Sequence, residues 1–478
     1  MNLRLDALLL EACDRFDDAV ALEDAGHRLS YADLAASART IAENLRVQGL
    51  RADEPVLVPV ANAPQNFAAF IGVWAAGGVV VPFSAHAPAA ATEATRTATK
   101  ARLMLADGGL ALRIGDHAPP PERPLLHGAA IIIFTSGSTG APKGVVIGHD
   151  AFARKLLEID SNLNFAPATR ALLVLQITFI FGIWFTLLTL LKGGSVFMCA
   201  RFDAATLIGD LAAQRITDAA FVPTMLRKLL ATEAAVNAPS RDRLALTRIH
   251  TGGEPFSPAL GERISALLPT AAITDIYGLT ETASSDFFLP FAKGAAFASG
   301  IGRISKSERF RIADAQGREV APGEAGELQI LTPFIMNGYL DQPALTAAAF
   351  ADGYFRTGDL ARLKPDGTPE LVGRSKDLIA RAGAKVSPLE LDGVLAQHPA
   401  VAAALTVGVA DEIAGERIHV LIVPREAAID EKELRRWVAD RVEAYKRPDV
   451  YHFGDELPLG RTGKVDRDAL RQRLNAMR

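Results

Sequence analysis

The chain has 478 residues, with 51 Lys plus Arg against 55 Asp plus Glu and a formal net charge of -4. This length exceeds what one hydrophobic core supports, so we expect at least two domains. The balanced charge gives no general attraction to a polyanion, and no nucleic-acid partner is predicted. The two cysteines, Cys13 and Cys199, form neither a metal-binding cluster nor a disulfide framework, which favours a reducing compartment.

Neither the N-terminal segment nor the apolar run at 172–191 is predicted to enter a membrane. Asp6, Glu11 and Asp14 interrupt the N-terminal segment, so no signal peptide is predicted and a cytoplasmic location is expected. The apolar run 172–191 has the length of a membrane span, but Gly182 interrupts it and β-branched and aromatic residues are frequent around 177–181. We therefore predict a buried strand, a turn and a core helix there, and no membrane span.

Strand-like and helix-like segments alternate through the first part of the chain. Apolar strands are predicted at 56–60, 79–82, 195–198 and 219–223, and helices at 68–76, 184–191, 204–214 and 224–232. This alternation predicts an α/β fold with parallel or mixed sheets.

The pattern changes after about residue 300. Short strand-like segments at 310–312 and 327–330 predict a β-rich subdomain of the large domain. Beyond residue 390, a helix, two strands and a helix predict a small α+β lid domain at the C-terminus. We expect a large domain over residues 1–373, a hinge at 374–377 and a small C-terminal domain over 378–478.

The segment 135–144 combines three glycines, four hydroxyls and a lysine directly after an apolar strand. Glycines allow close approach of an anion, hydroxyls donate to its oxygens, and lysine adds positive charge. A polar surface loop is the alternative. The Walker A loop is excluded, because Pro142 precedes the lysine and Gly144 follows it, where that motif requires glycine and a magnesium-binding hydroxyl. The predicted phosphate-binding residues are Thr135, Ser136, Gly137, Ser138, Thr139, Gly140 and Lys143.

Together with this loop, four further segments resemble the adenylate-forming (ANL) superfamily, which contains acyl-CoA synthetases, peptide-synthetase adenylation domains and firefly-type luciferases. They are 252–255, 275–281, 354–360 with 373–374, and 458–467. The resemblance spans nearly the whole chain. It implies that the large domain binds ATP and a carboxylic acid, that the small domain is mobile, and that the cofactors are ATP and Mg²⁺, with coenzyme A or the phosphopantetheine of a carrier protein.

The resemblance also implies roles for single residues. The expected adenine and ribose site consists of Gly253, Glu254, Pro255, Asp275, Ile276, Tyr277, Gly278, Asp359 and Arg374. Thr280 is expected to donate to the α-phosphate, Glu281 to bind Mg²⁺, and Lys464 of the small domain to act at the bond being made. Lys376 is the expected hinge, and Gly383 is expected to line the pantetheine tunnel.

Residue chemistry alone leaves alternatives open for several of these positions. Tyr277 offers a flat face to adenine but also suits a core aromatic, and Glu281 suits a solvated acid as well as a metal ligand. Asp359 and Arg374 suit ribose hydroxyls or a strand-end salt bridge. Lys464 alone reads as one lysine in a basic tail.

The acid site departs from the family at one position. Many acyl-CoA synthetases place a histidine where this chain has Phe179. The expected acyl pocket consists of Phe179, Phe181, Trp184, Thr251 and Gly252, and half of the rings read equally well as core. An apolar pocket favours a hydrophobic acid, either aryl or medium-chain.

The resemblance implies a ligase that activates a small carboxylic acid with ATP, releases pyrophosphate, and transfers the acyl group from the acyl-adenylate to CoA, giving acyl-CoA and AMP. Loading of a separate acyl carrier protein and adenylate-dependent amide formation remain open within the family. A catalytically inactive nucleotide-binding sensor or scaffold is the alternative from another class, and the intact Lys464, Glu281 and phosphate loop argue against it.

Overall fold

The computed structural model describes residues 2–106, 110–114, 122–135, 142–291, 297–381, 384–411, 413–425, 429–460 and 464–477. Within these ranges the chain forms four sheets, three from strands that end by Arg374 and the fourth from strands that begin at Ile379. The protein is therefore a mixed α/β protein with a large N-terminal and a smaller C-terminal domain. This architecture confirms the fold class predicted from the sequence. The division at 373 and 377 stays a prediction.

The helices follow one another along the chain as α1 (Leu5–Phe16), α2 (Tyr31–Val47), α3 (Gln65–Ala75), α4 (Ala89–Thr99), α5 (His149–Leu163), α6 (Ile180–Leu191), α7 (Leu207–Ala213), α8 (Pro223–Ala231), α9 (Glu233–Val236), α10 (Pro258–Leu267), α11 (Pro343–Ala348), α12 (Pro388–Ala396), α13 (Glu431–Ala439) and α14 (Arg467–Asn475).

The strands are β1 (Val20–Glu23), β2 (Arg28–Ser30), β3 (Pro55–Val60), β4 (Val79–Ser84), β5 (Leu103–Leu105), β6 (Ala111–Arg113), β7 (Ala129–Thr135), β8 (Lys143–Gly148), β9 (Arg170–Leu173), β10 (Ser195–Met198), β11 (Asp218–Phe221), β12 (Arg248–Gly252), β13 (Ala272–Tyr277), β14 (Phe287–Phe291), β15 (Arg303–Ile304), β16 (Arg309–Ala313), β17 (Gly326–Leu331), β18 (Gly338–Tyr339), β19 (Phe350–Ala351), β20 (Tyr354–Leu363), β21 (Pro369–Arg374), β22 (Ile379–Arg381), β23 (Ala384–Val386), β24 (Val401–Asp411), β25 (Gly415–Pro424) and β26 (Val450–Phe453).

Two large sheets form the body of the N-terminal domain. Sheet 1 has the order β15-β14-β13-β12-β11-β9-β10-β1-β2, and sheet 2 has the order β18-β8-β7-β4-β3-β5-β6. Parallel pairs join β9 to β10 and to β11, and then β11 to β12 and β12 to β13. Burial on both faces explains why the strands of these sheets are continuous apolar runs in the sequence.

Two smaller sheets complete the molecule. Sheet 3 has the order β16-β17-β20-β19 with β21 beside β20, and it is the β-rich subdomain. Sheet 4 has the order β23-β22-β25-β24 with β26 beside β25, and it forms the C-terminal domain. A cluster around Leu391, Ile418 and Leu434 gives this domain its own buried core.

The apolar run at 172–191 divides as the sequence predicts. Strand β9 ends at Leu173, α6 covers Ile180–Leu191, and both elements are largely buried. None of the helices in the described part of the chain has both the length and the apolar character that a membrane span needs.

Candidate active site

The phosphate loop predicted from the sequence connects two antiparallel strands. Strand β7 ends at Thr135, β8 begins at Lys143, and the two residues are direct partners across the strands. A Walker A loop leads from a strand into a helix, so this connection agrees with the exclusion of that motif. The hydroxyl of Thr135 is buried and has no hydrogen-bond partner among the described residues. Residues 136–141 lie outside the described ranges, and with them the roles predicted for Ser136, Gly137, Ser138, Thr139 and Gly140.

Lys143 meets Glu281 at the edge of this strand pair. The Nζ atom of Lys143 donates to the hydroxyl of Tyr339 at 3.3 Å and lies 3.9 Å from Oε1 of Glu281. The Tyr339 hydroxyl in turn donates to the same Oε1 at 2.9 Å. Burial and the Glu281 carboxylate raise the pKa of Tyr339, so it remains a donor. A lysine and a carboxylate predicted for two different roles therefore lie within one small polar cluster.

The donor set around Glu281 fits a magnesium ion that arrives with ATP. Among the described residues no group of three or more His, Cys, Asp or Glu side chains is arranged to hold a metal. Mg²⁺ is commonly bound by one or two carboxylates, substrate phosphates and water, and Glu281 supplies one such carboxylate.

The turn that carries Thr280 and Glu281 is held in place by a group of buried ionisable side chains. Lys155 donates to Asp286 at 2.8 Å and to Glu308 at 2.7 Å, and all three side chains are inaccessible to solvent. The hydroxyl of Thr282 donates to the other oxygen of Asp286 at 2.6 Å. We name Lys155, Asp286 and Glu308 the buried-charge cluster. It fixes the 3₁₀ turn at Thr280–Thr282 relative to α5 and β16.

Gly278 allows this turn to pack closely. A Cβ atom at this position would lie 2.0 Å from the backbone nitrogen of Ser285. The backbone of Ala283, Ser284 and Ser285 is left-handed, with φ of 56°, 80° and 54°. Because such conformations are unfavourable for residues with a side chain, the segment is held by its surroundings.

The predicted ribose residues form one hydrogen-bonded group. The hydroxyl of Tyr277 donates to Oδ2 of Asp359 at 2.6 Å, and Nε of Arg374 donates to Oδ1 at 2.5 Å. Asp359 and Arg374 are direct partners on β20 and β21, which explains the salt bridge between them. The salt bridge that residue chemistry left open thus exists, and it lies beside the tyrosine predicted to stack on adenine. We name Tyr277, Asp359 and Arg374 the ribose-side group.

The remaining adenine residues lie at the ends of β12 and β13. Asp275 and Ile276 belong to β13, and burial raises the pKa of Asp275 to about 8. Gly253 follows β12 with φ of 80°, in the left-handed region that favours glycine. Pro255, two residues later, is exposed.

Lys464 reaches this region from the C-terminal domain. A Cβ atom on Gly253 would lie 2.6 Å from its Nζ atom, so the lysine packs directly against that glycine. Burial lowers the pKa of Lys464, and the nearby Glu254 carboxylate opposes the shift. The neighbouring Val465 donates its backbone N–H to Oε1 of Glu254 at 3.1 Å. A lysine from the far end of the chain therefore lies against Gly253 and near Glu254 and Arg374 of the large domain, and we name this place the cleft.

The predicted acyl residues divide into two groups. Phe181 stacks on Trp184 with ring centroids 5.3 Å apart, and Phe179 precedes α6, which carries both rings. Gly252 allows β12 to approach β13, because a Cβ atom there would lie 2.3 Å from the carbonyl oxygen of Ile276. Thr251 pairs in register with Phe221 and Asp275. Phe221 packs in the apolar cluster of α8 and α10, away from Trp184, and Thr251 shares that face.

The two positions predicted for domain movement differ in what can be described. Lys376 lies exposed in a 3₁₀ turn at Ser375–Asp377, between the last strand of sheet 3 and the first strand of sheet 4. Gly383 lies outside the described ranges.

Several residues at the site escaped the sequence reasoning. Tyr339 joins Lys143 to Glu281, Thr224 and Arg227 bind the Glu254 carboxylate, and Lys155 anchors the turn behind Glu281. Only the pair Thr224 and Arg227, three residues apart on one helix, carries a local signal.

Comparison with known proteins agrees with this geometry. The AMP-binding enzyme family matches residues 9–113 and 110–340, and its C-terminal domain matches residues 390–464. Feruloyl-CoA synthase of Amycolatopsis sp is 30% identical over 475 residues, which cover 95% of this chain and 96% of that protein. The fatty acid–[acyl-carrier-protein] ligase ScoC of Streptomyces coeruleorubidus is 34% identical over 371 residues, which cover 75% of this chain and 69% of that protein.

A solved structure extends the similarity to the fold. A benzoate CoA ligase from Burkholderia xenovorans LB400 matches with a TM-score of 0.86 and 25% identity, covering 98% of this chain and 100% of that one. The family matches, the two relatives and this structure together show that the chain belongs to the AMP-binding enzymes, the adenylate-forming superfamily of the acyl-CoA synthetase type.

Proposed function

We propose that this protein activates a hydrophobic carboxylic acid with ATP and transfers the resulting acyl group to the thiol of CoA. The single observation that carries the proposal is the position of Lys464, packed against Gly253 at the cleft of the large domain. A cation there lies where a carboxylate and the α-phosphate of ATP would have to approach each other. Positive charge between two anions stabilises the transition state of their reaction.

In the first half-reaction a carboxylate oxygen attacks the α-phosphorus, the bond to the β-phosphate oxygen breaks, and an acyl-adenylate and pyrophosphate form. The ribose-side group holds the nucleotide, with Asp359 accepting from the sugar hydroxyls and Tyr277 presenting its ring to adenine. Thr280 donates to the α-phosphate, while Thr135 and Lys143 bind the departing pyrophosphate together with the phosphate loop. Bound at Glu281, Mg²⁺ would neutralise part of the phosphate charge.

In the second half-reaction the thiol attacks the acyl carbon, and AMP leaves with its oxygen atom. The C-terminal domain would turn at Lys376 and bring Gly383 to the cleft, where the absence of a side chain leaves room for pantetheine. The exposure of Lys376 between two sheets supports a hinge at this point. Such a movement can limit the rate of turnover.

The acid is proposed to be aryl or medium-chain. Phe179 and Phe181 are partly exposed aromatic rings at the start of α6, and Phe181 stacks on the fully buried Trp184, which supports an apolar site for the acid there. The names of feruloyl-CoA synthase and benzoate CoA ligase both contain an aryl acid, which supports the same substrate class.

A carrier protein is the second candidate for the acceptor. The relative ScoC is a fatty acid–[acyl-carrier-protein] ligase, and it matches three quarters of this chain. Both acceptors would present the same phosphopantetheine thiol, so the choice between CoA and a carrier protein depends on the residues around the entrance of the predicted pantetheine tunnel.

The proposal is tested by separating the half-reactions. A pyrophosphate-release screen across carboxylic acids finds the substrate, and mass analysis with CoA or a carrier protein finds the acceptor. Lys464→Ala is then expected to slow acyl-adenylate formation by about 100-fold or more and to leave thioester formation from supplied acyl-adenylate unchanged. Lys432→Ala, at an exposed lysine of the same domain, is the matched control. Equal losses in both halves would contradict the role of Lys464.

The acceptor half has its own variant. Gly383→Trp is expected to block thioester formation and to leave pyrophosphate release intact, because the indole would fill the predicted tunnel. Unchanged thioester synthesis would remove the tunnel from the mechanism.

A further inference from the structure

The Glu254 carboxylate is held firmly by the large domain. The backbone N–H of Thr224 donates to Oε2 at 3.0 Å, and its hydroxyl lies 2.8 Å and 3.0 Å from the two oxygens. Nη2 of Arg227 donates to Oε2 at 2.9 Å, and only 6% of the glutamate side chain is exposed. Arg227 supplies the compensating positive charge that a buried carboxylate needs.

The Glu254 carboxylate also binds the C-terminal domain. Its Oε1 accepts the N–H of Val465 at 3.1 Å, a contact between residues 211 positions apart. Lys464 precedes Val465 directly, and its side chain packs on Gly253, the residue before Glu254. Two adjacent residues of the C-terminal domain thus rest on two adjacent residues of the large domain.

We infer that Glu254 is a positioning residue, which holds the C-terminal domain with Lys464 in place for acyl-adenylate formation. Its carboxylate is committed to Thr224, Arg227 and Val465, so its contribution to the nucleotide site is indirect. The inference rests on the proposed function, because it gives Glu254 a task only if Lys464 acts in the first half-reaction.

This contact belongs to one half-reaction only. If the C-terminal domain turns to present Gly383, the N–H of Val465 must leave Glu254. Thr224 and Arg227 lie on α8 of the large domain and remain with the carboxylate, so it stays hydrogen-bonded after the turn. Glu254 itself loses one hydrogen bond in this movement, that to the N–H of Val465.

Glu254→Gln is a selective probe of this contact. The amide oxygen satisfies both donors at the Oε2 position, Thr224 N–H and Arg227, which turns the amide nitrogen toward the N–H of Val465. The amide N–H group of the variant and the N–H of Val465 are then two donors without an acceptor between them. The hydrogen bonds to Thr224 and Arg227 on α8 are kept. The exposed Glu262 on α10 provides the matched control, Glu262→Gln.

The experiment measures both half-reactions in single turnover on the full-length protein. Glu254→Gln is expected to slow acyl-adenylate formation about tenfold, the usual effect of losing a hydrogen bond to a charged group, with an unchanged KM for ATP. Thioester formation from supplied acyl-adenylate should stay at the wild-type rate. Hydrogen exchange of peptide 464–477 with a non-hydrolysable ATP analogue should become faster in this variant, which reports on the contact independently of activity.

Three results would overturn the inference. An increase in the KM for ATP would return Glu254 to adenine binding, equal losses in both halves would indicate general damage, and unchanged exchange at 464–477 would show no positioning. The proposed function is tested separately by wild-type pyrophosphate release and by Lys464→Ala. If those two experiments give the results expected for the proposed function and Glu254→Gln still forms the acyl-adenylate at the wild-type rate, the positioning role is wrong and the proposed function stands.

Discussion

The two sides of the cleft are built from different interactions. On the proposed nucleotide side, Tyr277 and Arg374 both bind Asp359, and Lys143 and Tyr339 meet at Glu281. The proposed acyl side consists of aromatic rings on and before α6, which carry no charge and among which Phe181 stacks on Trp184.

This difference separates what can vary from what cannot. Hydrogen bonds and ion pairs demand fixed partners at fixed distances, whereas an aromatic wall accepts substitutions of similar volume. The nucleotide side should therefore serve every acid equally, and the acyl side should decide among acids. Three substitutions test this division, and a fourth measurement concerns the stability of the large domain that carries it.

Asp359→Ala should have the largest effect. It removes the acceptor for Tyr277 and Arg374 together and leaves a buried tyrosine hydroxyl and a guanidinium without their partner. Acyl-adenylate formation should fall about 100-fold or more with every acid, measured by pyrophosphate release. Asp366→Ala, in an exposed turn, is the control. A loss that differs between an aryl and a short aliphatic acid would break the division.

Glu281→Gln should have the next largest effect. The amide oxygen still accepts from Tyr339, but the negative charge for Mg²⁺ is gone. Pyrophosphate release at limiting magnesium should fall roughly tenfold to 100-fold, with partial recovery as magnesium is raised. If pyrophosphate release depends on the magnesium concentration equally steeply in the variant and in the wild type, Glu281 is not a metal ligand.

Phe181→Leu should change the choice of acid. The substitution removes the ring that stacks on Trp184 and keeps an apolar side chain at the cleft. The ratio of kcat/KM for an aryl acid to that for a short aliphatic acid should shift about tenfold, while the KM for ATP stays constant. Phe453→Leu, an exposed position in the C-terminal domain, is the control. An altered KM for ATP with an unchanged ratio would assign Phe181 to the nucleotide side.

The smallest effect concerns His149, which follows the strand that begins with Lys143. Its Nδ1 accepts the N–H of Leu5, and burial lowers the pKa of His149 to about 3. Below the unfolded value of 6.5 the unfolded chain takes up a proton that the folded protein refuses, so folding stability falls as the pH falls toward 3.

His149→Gln keeps the acceptor for Leu5 and removes the titration. The free energy of unfolding of the wild type relative to this variant should drop by about 0.7 kcal/mol between pH 7 and pH 6. Denaturant unfolding at the two pH values measures it, and a constant difference would show that His149 has the same pKa in the folded and unfolded states.

Local patterns predicted much of the fold. The apolar run at 56–60 corresponds to β3 (Pro55–Val60), and the helix predicted at 68–76 corresponds to α3 (Gln65–Ala75), because burial on several sides leaves uninterrupted apolar residues. The helix predicted at 204–214 begins only at Leu207. Asp203 accepts the N–H of Ala205 at 2.8 Å, a local turn that competes with the helix at its start.

The site was predicted unevenly for a physical reason. Residues such as Tyr277 and Asp359 lie in recognisable segments, so the sequence identified them, and the structure adds that they bind each other. Tyr339 lies outside those segments and acts through Lys143 and Glu281, which are distant from it in the chain. No periodicity or short motif encodes such contacts, because they arise from the packing of sheets and helices against one another.

The effects on stability of substitutions at Lys155, Asp286 and Glu308 depend on one another. Replacing Lys155 alone should cost about 3–5 kcal/mol, because Asp286 and Glu308 then stay buried without their counter-ion, whereas replacing the set by apolar residues of similar volume can be neutral. A library of single substitutions would therefore score Lys155 as immutable. Redesign of the turn that carries Glu281 has to change the three residues together, and only combinatorial sampling reveals that freedom.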